Sequence, residues 1–215
     1  MYFLLTAPHP DDDVIGLGDY IQHIEASKVG VWFMTDGGDK ERRVEATRAL
    51  NLLGVNDIFW NTLPFYTAED RRVSQDDYDA CASFLNGICP STIAVCYDAD
   101  PHKTHIKCYT ILQHAMAQQQ HAMAQQQQKG GACSRVVLYQ SAWGNRTSYS
   151  PRCEWTQWKV KDPTLKRAAV SCHRSQLTLT VHDGFGDDLL RRGNLHEESF
   201  MELGTNAFCT WPPCA

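Results

Sequence analysis

Short apolar, β-rich runs recur at 2–6, 29–35, 58–60, 92–96 and 136–140, and amphipathic stretches separate them. Runs this short, bounded by Gly, Pro and Asp, read as strands rather than helices. After the first run, Val14, Ile15, Leu17, Tyr20, Ile21 and Ile24 recur at helical spacing. A second helix is expected from about Lys40 to Leu53, with Val44, Leu50, Leu52 and Leu53 towards the core and a stop at Gly54. A third is expected from about Asp76 to Leu85. Strands alternating with helices predict an α/β, Rossmann-like fold: a mostly parallel sheet in three layers.

Open sheets of this kind bind ligands at the carboxyl ends of their strands. The first run ends in Ala7-Pro8-His9-Pro10-Asp11-Asp12-Asp13. His9 lies three residues before Asp12 on a turn stiffened by Pro8 and Pro10, so a nitrogen and an oxygen can aim at one point, as zinc requires. Three adjacent carboxylates repel, and a cation or very different environments relieve that. Alone, such a run is equally a solvated turn or a helix N-cap; its place between strand and helix favours a site. The second run ends in Asp36-Gly37-Gly38-Asp39, but no GxxxxGK[ST] or GxGxxG accompanies the glycines, which argues against a nucleotide. The fourth run is followed by His102 and His105, spaced i to i+3 at an expected helix start, so both rings can face one side.

His9, Asp12 and His105 make the two-histidine, one-carboxylate ligand count of a catalytic zinc with a position open for water. Asp11, beside a ligand but not needed as one, can act as general base and pass the proton to a leaving amine. His102 can stabilise the oxyanion of a tetrahedral intermediate. Together these describe amide hydrolysis. The same ligand set is the facial triad of mononuclear Fe2+ oxygenases; Asp11 favours hydrolysis, while Zn2+ and Fe2+ both suit the ligands.

At 215 residues the chain is most simply one domain, 1–215. A net charge of -5 without any Lys/Arg block leaves no basis for a nucleic-acid or anionic-membrane partner. No apolar run reaches the roughly 18 to 20 residues of a membrane span. The nine cysteines are odd in number, lack CxxC spacing and follow no signal peptide, so reduced thiols and a cytoplasmic location are expected. Leu63-Pro64-Phe65-Tyr66 is either a pocket wall or core. From His114 a heptad repeats and runs into glutamines, so 114–131 reads as an exposed helical extension or a disordered insertion. The Trp-rich tail, 142–215, shows no clean period and is expected to wrap the sheet edge as loops and short helices.

With these residues in place the chain resembles the PIG-L/LmbE family of zinc-dependent N-deacetylases. Pro8 to Asp13 is similar to its (A/S)HPDD(E/D) signature, Thr35-Asp36-Gly37 to its TDG, Arg42 with Glu45 to its RxxE, Leu53-Gly54-Val55 to its LGV, and His102 to His105 to its HxxH. Within the family it most resembles the deacetylase-like domain fused to glucosamine-6-phosphate deaminases. That likeness rests on residues 8–15, Leu63 to Tyr66, Asp100-Pro101-His102 with Thr104, His105 and Cys108, His173-Arg174-Ser175-Gln176, and Ala207-Phe208. The resemblance implies zinc on His9, Asp12 and His105, Asp11 as base, His102 as oxyanion stabiliser or acid, and Asp36 and Arg42 near the sugar or its anionic substituent. Asp13, where glutamate is commoner, is expected to support the ligands from behind. Family substrates carry N-acetylglucosamine, lipid-linked or soluble. Lipid-linked eukaryotic members usually carry an N-terminal membrane segment, and a strand starting almost at Met1 favours a soluble amino-sugar. The resemblance also leaves a homo-oligomer, a deaminase partner or a catalytically silent sugar-binding module as readings.

Overall fold

The computed structural model describes residues 1–36, 39–60, 63, 72–97, 102–126, 133, 135–141, 155–178 and 197–210, without the side chains of 122–126, 178 and 210. In chain order they form β1 (Phe3–Ala7), α1 (Asp12–Gln22), β2 (Val29–Phe33), α2 (Lys40–Leu52), β3 (Asp57–Phe59), α3 (Gln75–Ile88), β4 (Thr92–Cys96), α4 (Lys103–Gln126) and β5 (Arg135–Tyr139). β6 (Thr156–Lys159), α5 (Pro163–Val170), α6 (Arg174–Thr178), β7 (Glu197–Gly204) and α7 (Thr205–Thr210) follow. The sheet runs β3-β2-β1-β4-β5-β7-β6. β1 to β5 pair in parallel, and β7 joins β5 antiparallel, placing Phe200 beside Tyr139 and Met201 beside Leu138.

Strand side chains alternate between two cores, as the two-residue period requires. Phe3, Leu5, Ala7, Val31, Phe33 and Tyr139 pack under α1, α2 and α5. Leu4, Trp32, Ile93, Val95 and Leu138 pack under α3, α4 and α7. Hence β1, β2, β4 and β5 are buried on both sides and read as continuous apolar runs. A close approach holds α1 to the sheet: a Cβ on Gly16 would lie 2.3 Å from the Tyr139 ring. The Tyr139 hydroxyl donates to the Thr6 carbonyl (2.9 Å), tying β5 to β1 across β4.

Some expectations are corrected. The buried face of α2 runs through Glu45, Ala46, Ala49 and Leu50, continuing to Leu53, while Val44 and Leu52 are half exposed. Apolarity alone misplaced that face because a glutamate with a buried partner occupies it. Helix α4 continues without a break into the repeat, and Ala115 and Met116 are core, so exposure does not begin at residue 114. His114 and His121 are exposed, and His114 lies against Tyr78 (4.0 Å between rings). The tail contributes two strands, β6 and β7, as well as helices. β7 hides its pattern because Glu198 is buried and points inward. Of the Leu63–Tyr66 loop only Leu63 is described, and it is core; Gly37, Gly38, Asp98 and Asp100 lie outside the described residues.

Glu198 serves a break in α1. The helix kinks at Leu17 (φ −135°, ψ 22°), which takes the Ile15 carbonyl and the Asp19 and Tyr20 N–H groups out of the regular ladder. Lys166 Nζ donates to the Ile15 carbonyl (3.0 Å) and to Glu198 (2.5 Å), and Glu198 accepts from the Asp19 N–H (2.7 Å) and Tyr20 N–H (2.8 Å). Both side chains are fully buried. Burial pushes the Glu198 carboxyl up, against the pull of Lys166 and the two N–H groups. Nearby, buried Asp19 accepts from Trp158 Nε1 (2.8 Å) and from the Lys161 (3.1 Å) and Asp162 (2.9 Å) N–H groups. Although burial alone would raise its carboxyl, these donors with His23 hold it below the usual range.

Lys166→Met leaves Glu198 buried without its cation, and urea denaturation should show a loss of about 3–5 kcal/mol, partly recovered by adding Glu198→Gln. Because the folded pKa of Asp19 lies below its unfolded value near 3.9, its contribution is present above about pH 4 and is lost as pH falls through the folded value. Asp19→Asn should therefore cost about 1.5–3 kcal/mol at pH 7 and flatten the acid limb of stability against pH.

Candidate active site

The chain leaves the β1–β2 side of the sheet after β3 and returns through β4 on the other side of β1. The carboxyl ends of β1 and β4 therefore flank the switch point, where a crevice opens in such sheets. Two bonds fix the exit from β1. The Met34 N–H donates to the Ala7 carbonyl (2.9 Å), and the Thr35 hydroxyl donates to the Pro8 carbonyl (2.5 Å). The His9 carbonyl then accepts from the Asp11 (3.0 Å) and Asp12 (3.3 Å) N–H groups, while the His9 N–H donates to Asp12 Oδ2 (2.8 Å). This wraps the turn so that the His9 ring and the Asp12 carboxylate share a side. From β4, the first turn of α4 brings His105 to meet them.

His9 Nδ1, Asp12 Oδ2 and His105 Nε2 form a triangle with edges of 3.0, 3.2 and 3.3 Å. Donors at about 2.0–2.1 Å from a tetrahedral ion stand about 3.3 Å apart, so these residues fit a mononuclear metal. Asp12 is fully buried and its Oδ1 has no partner among the described residues. Burial works to raise its carboxyl, but His105 and His9 prevail and hold it well below the usual range, in the anionic form that a metal takes. On its other side the His105 ring presents Nδ1 to Cys96 Sγ at 3.8 Å. His102 is exposed at the rim, its ring 4.8 Å from that of His9 and 4.7 Å from that of His105. One ring nitrogen from each of the three histidines lies within 4.8 Å of the other two.

Asp11 is the N-cap residue of α1 but makes no side-chain bond to that helix. Its Oδ1 accepts instead from Arg42 Nη2 at 3.0 Å, with both side chains nearly buried. One turn along α2, Glu45 accepts from the Ser175 N–H (2.7 Å) and hydroxyl (2.6 Å), clamping α6 onto the same face. Asp13 is fully buried, and neither of its oxygens has a well-formed partner among the described residues. Burial, with the Asp11 charge beside it, pushes its carboxyl well up. Asp36 accepts from Arg43 (3.2 Å), whose guanidinium lies over the Trp60 ring (5.2 Å).

His9, Asp11, Asp12, Arg42, His102 and His105 thus come together, whereas Asp36 is paired with Arg43 and Asp13 is turned into the interior. Sequence reasoning assigned no role to Glu45, Cys96, His173 or Ser175. The i to i+3 spacing of Arg42 and Glu45 on the face of Ala46 and Ala49 was a usable signal; nothing marked Cys96 beyond its place at a strand end.

Fold and donor set define a class: a three-layer α/β protein with two imidazoles, one carboxylate and a second carboxylate beside them at the sheet's switch point. The chain belongs to the PIG-L, or GlcNAc-PI de-N-acetylase, family, whose profile matches residues 4–116, more than half of the sequence. No curated protein sequence matches it. Among solved structures it is similar to the conserved protein TT1542 from Thermus thermophilus, with a TM-score of 0.71, 21% identity and 93% of each chain covered. It is also similar to the N,N'-diacetylchitobiose deacetylase from Pyrococcus horikoshii, with a TM-score of 0.67, 22% identity, and 98% of this chain and 86% of that one covered. GalB, the 4-carboxy-2-hydroxymuconate hydratase from Pseudomonas putida, has a TM-score of 0.64 at 16% identity, with 100% of this chain and 98% of that one covered. No helix among the described residues is long and apolar enough to cross a membrane.

Calorimetric titration of chelator-stripped protein with zinc should show one tight site per chain. His105→Ala, which removes one corner of the triangle, should weaken it by at least a hundredfold.

Proposed function

We propose that this chain is a zinc-dependent N-deacetylase that hydrolyses the acetamide of an N-acetylglucosamine-type sugar. The observation that carries the reading is the metal-fitting triangle of His9, Asp12 and His105 with a separate carboxylate, Asp11, beside it. Zinc held there would supply Lewis-acid polarisation of the amide carbonyl and a water of lowered pKa.

The chain's own residues do the rest. Arg42 occupies Asp11 Oδ1 and leaves Oδ2 to take the water's proton and hand it to the departing amine. His102, at the exposed rim, donates a ring N–H to the amide oxygen as negative charge develops on it. Asp12 stays anionic in the interior and keeps His9 and His105 facing one point. Burial pushes the Asp13 carboxyl up, towards the neutral form, which lessens the negative charge it sets beside Asp11. The family resemblance would put Asp36 and Arg42 near the sugar or its anionic substituent; Asp36 is engaged by Arg43 and Arg42 by Asp11.

A soluble amino-sugar, such as one carrying a 6-phosphate, is the preferred substrate. The likeness to a domain fused to glucosamine-6-phosphate deaminases supports it, since such a deaminase, as partner in the cytoplasm, would consume the product. The family's description favours a second reading, N-acetylglucosaminyl-phosphatidylinositol.

Acetate release from N-acetylglucosamine, its 6-phosphate and N-acetylglucosaminyl-phosphatidylinositol tests both. Asp11→Asn should keep the metal and lower kcat by about 10²–10⁴-fold. Turnover retained in that variant would reject the mechanism, and turnover confined to the inositol lipid would select the second substrate.

A further inference from the structure

Cys96 is the last residue of β4 and stands opposite Tyr139 on β5. The Tyr97 N–H donates to the Tyr139 carbonyl (2.7 Å), which fixes where β4 ends and so where this thiol sits. Because side chains alternate along a strand, Ala94 and Cys96 share the face packed under α1, whereas Val95 between them faces α3 and α4. Asp12 is the first residue of α1. His105 comes from the first turn of α4, nine positions beyond Cys96 in the sequence. The thiol thus lies where these two elements meet: Cys96 Sγ, a ring nitrogen of His105 and a carboxylate oxygen of Asp12 lie within 4.8 Å of one another, and all three residues are buried.

The two nitrogens of the His105 ring face different neighbours. Nε2 stands in the triangle, 3.0 Å from His9 Nδ1 and 3.2 Å from Asp12 Oδ2. Nδ1 faces Cys96 Sγ at 3.8 Å, within hydrogen-bonding range for the large sulfur atom. A metal needs a bare lone pair on Nε2, and a neutral imidazole that offers one carries its hydrogen on Nδ1. The N–H of a metal-binding histidine ordinarily meets an acceptor, which fixes both the tautomer and the orientation of the ring. His105 is only 3% exposed, so bulk water does not fill that place.

We propose that Cys96 is a positioning residue for His105: its sulfur accepts the Nδ1–H and so holds Nε2 as a bare donor aimed at the triangle. The sulfur is not itself a ligand of this centre, because it meets the nitrogen that faces away from the other two donors. Thiol sulfur is a weak acceptor and keeps its own hydrogen. No proton is gained or lost in this role. What the contact supplies is direction: the imidazole is held between the sulfur on one side and Asp12 with His9 on the other, so turning the ring gives up both. The position of the β4 terminus is thereby passed to a metal ligand carried by the following helix.

The proposal rests on the metal centre of the deacetylase reading, so its test measures metal binding rather than turnover. Calorimetric titration of chelator-stripped protein with zinc should give a Kd about tenfold weaker or more in Cys96→Ala than in wild type. Cys96→Ser, close to alanine in volume but keeping an acceptor, should recover a large part of that loss. Cobalt-loaded wild type should show no thiolate-to-cobalt charge-transfer band. A Cys96→Ala Kd within threefold of wild type would overturn the proposal. Equal losses in Cys96→Ala and Cys96→Ser would also overturn it, since they would mean that the sulfur only fills space; so would a thiolate band in the wild type, which would make Cys96 a ligand. Should Cys96→Ala fail to fold, Cys96→Val decides: weakened zinc binding in the folded variant supports the proposal, and wild-type affinity overturns it. A wild type that binds zinc but releases no acetate overturns the deacetylase reading and leaves this inference standing, whereas a wild type that binds no zinc overturns both.

Discussion

His9 Nδ1, Asp12 Oδ2 and His105 Nε2 stand within 3.3 Å of one another at the meeting of two parallel strands. Such a set coheres only around shared positive charge, and much of the surrounding structure holds it in register. β1 and β4 must be neighbours for residues 96 positions apart in sequence to touch. The Met34 and Thr35 bonds to Ala7 and Pro8 fix where β1 ends. The start of α1 carries Asp12 and Asp13, and Gly16 lets that helix lie against Tyr139. Beyond the kink, the buried Lys166–Glu198 pair replaces the backbone bonds that the bend removes, so the helix can carry its acidic end to the sheet edge.

Three adjacent aspartates end in three different environments, and that difference is the chemistry of the site. Asp12 is buried against two imidazoles and held anionic. Asp13 is buried without such support and pushed towards neutrality. Asp11 faces a guanidinium across 3.0 Å. In the proposed mechanism these sequence neighbours would divide the work of ligand, silent interior acid and proton carrier according to what each one touches. The fold does not make this choice by itself: a hydratase and a deacetylase both share it.

Much of this was legible in the chain because local pattern and global fold agree. Strands buried on both faces appear as unbroken apolar runs, and 92–96 was placed to the residue. The histidine and aspartate clusters could be joined from the sequence because a parallel sheet puts strand ends along one edge. What escaped notice involved polar groups buried by partners distant in sequence. Glu198 inverted the pattern of β7, because it points inward to Lys166. Glu45 displaced Val44 from the buried face of α2, because Ser175 lies 130 positions away in sequence. The Asp36–Arg43 pair was equally hidden, since Arg42 and Arg43 differ only by the helical rotation that aims one at Asp11 and the other at Asp36. Periodicity carries no information about such partners.

The central claim is that the His9–Asp12–His105 triangle is a metal centre whose occupancy enables amide hydrolysis. Stripping the wild-type protein with chelator and returning zinc in measured fractions, with bound metal and acetate release followed on the same samples, tests it most directly. Acetate release absent from the stripped protein and rising in proportion to metal up to one ion per chain is the predicted result. Release that survives stripping, or a folded chain carrying one zinc that releases no acetate from any of the N-acetylated sugars, would contradict it.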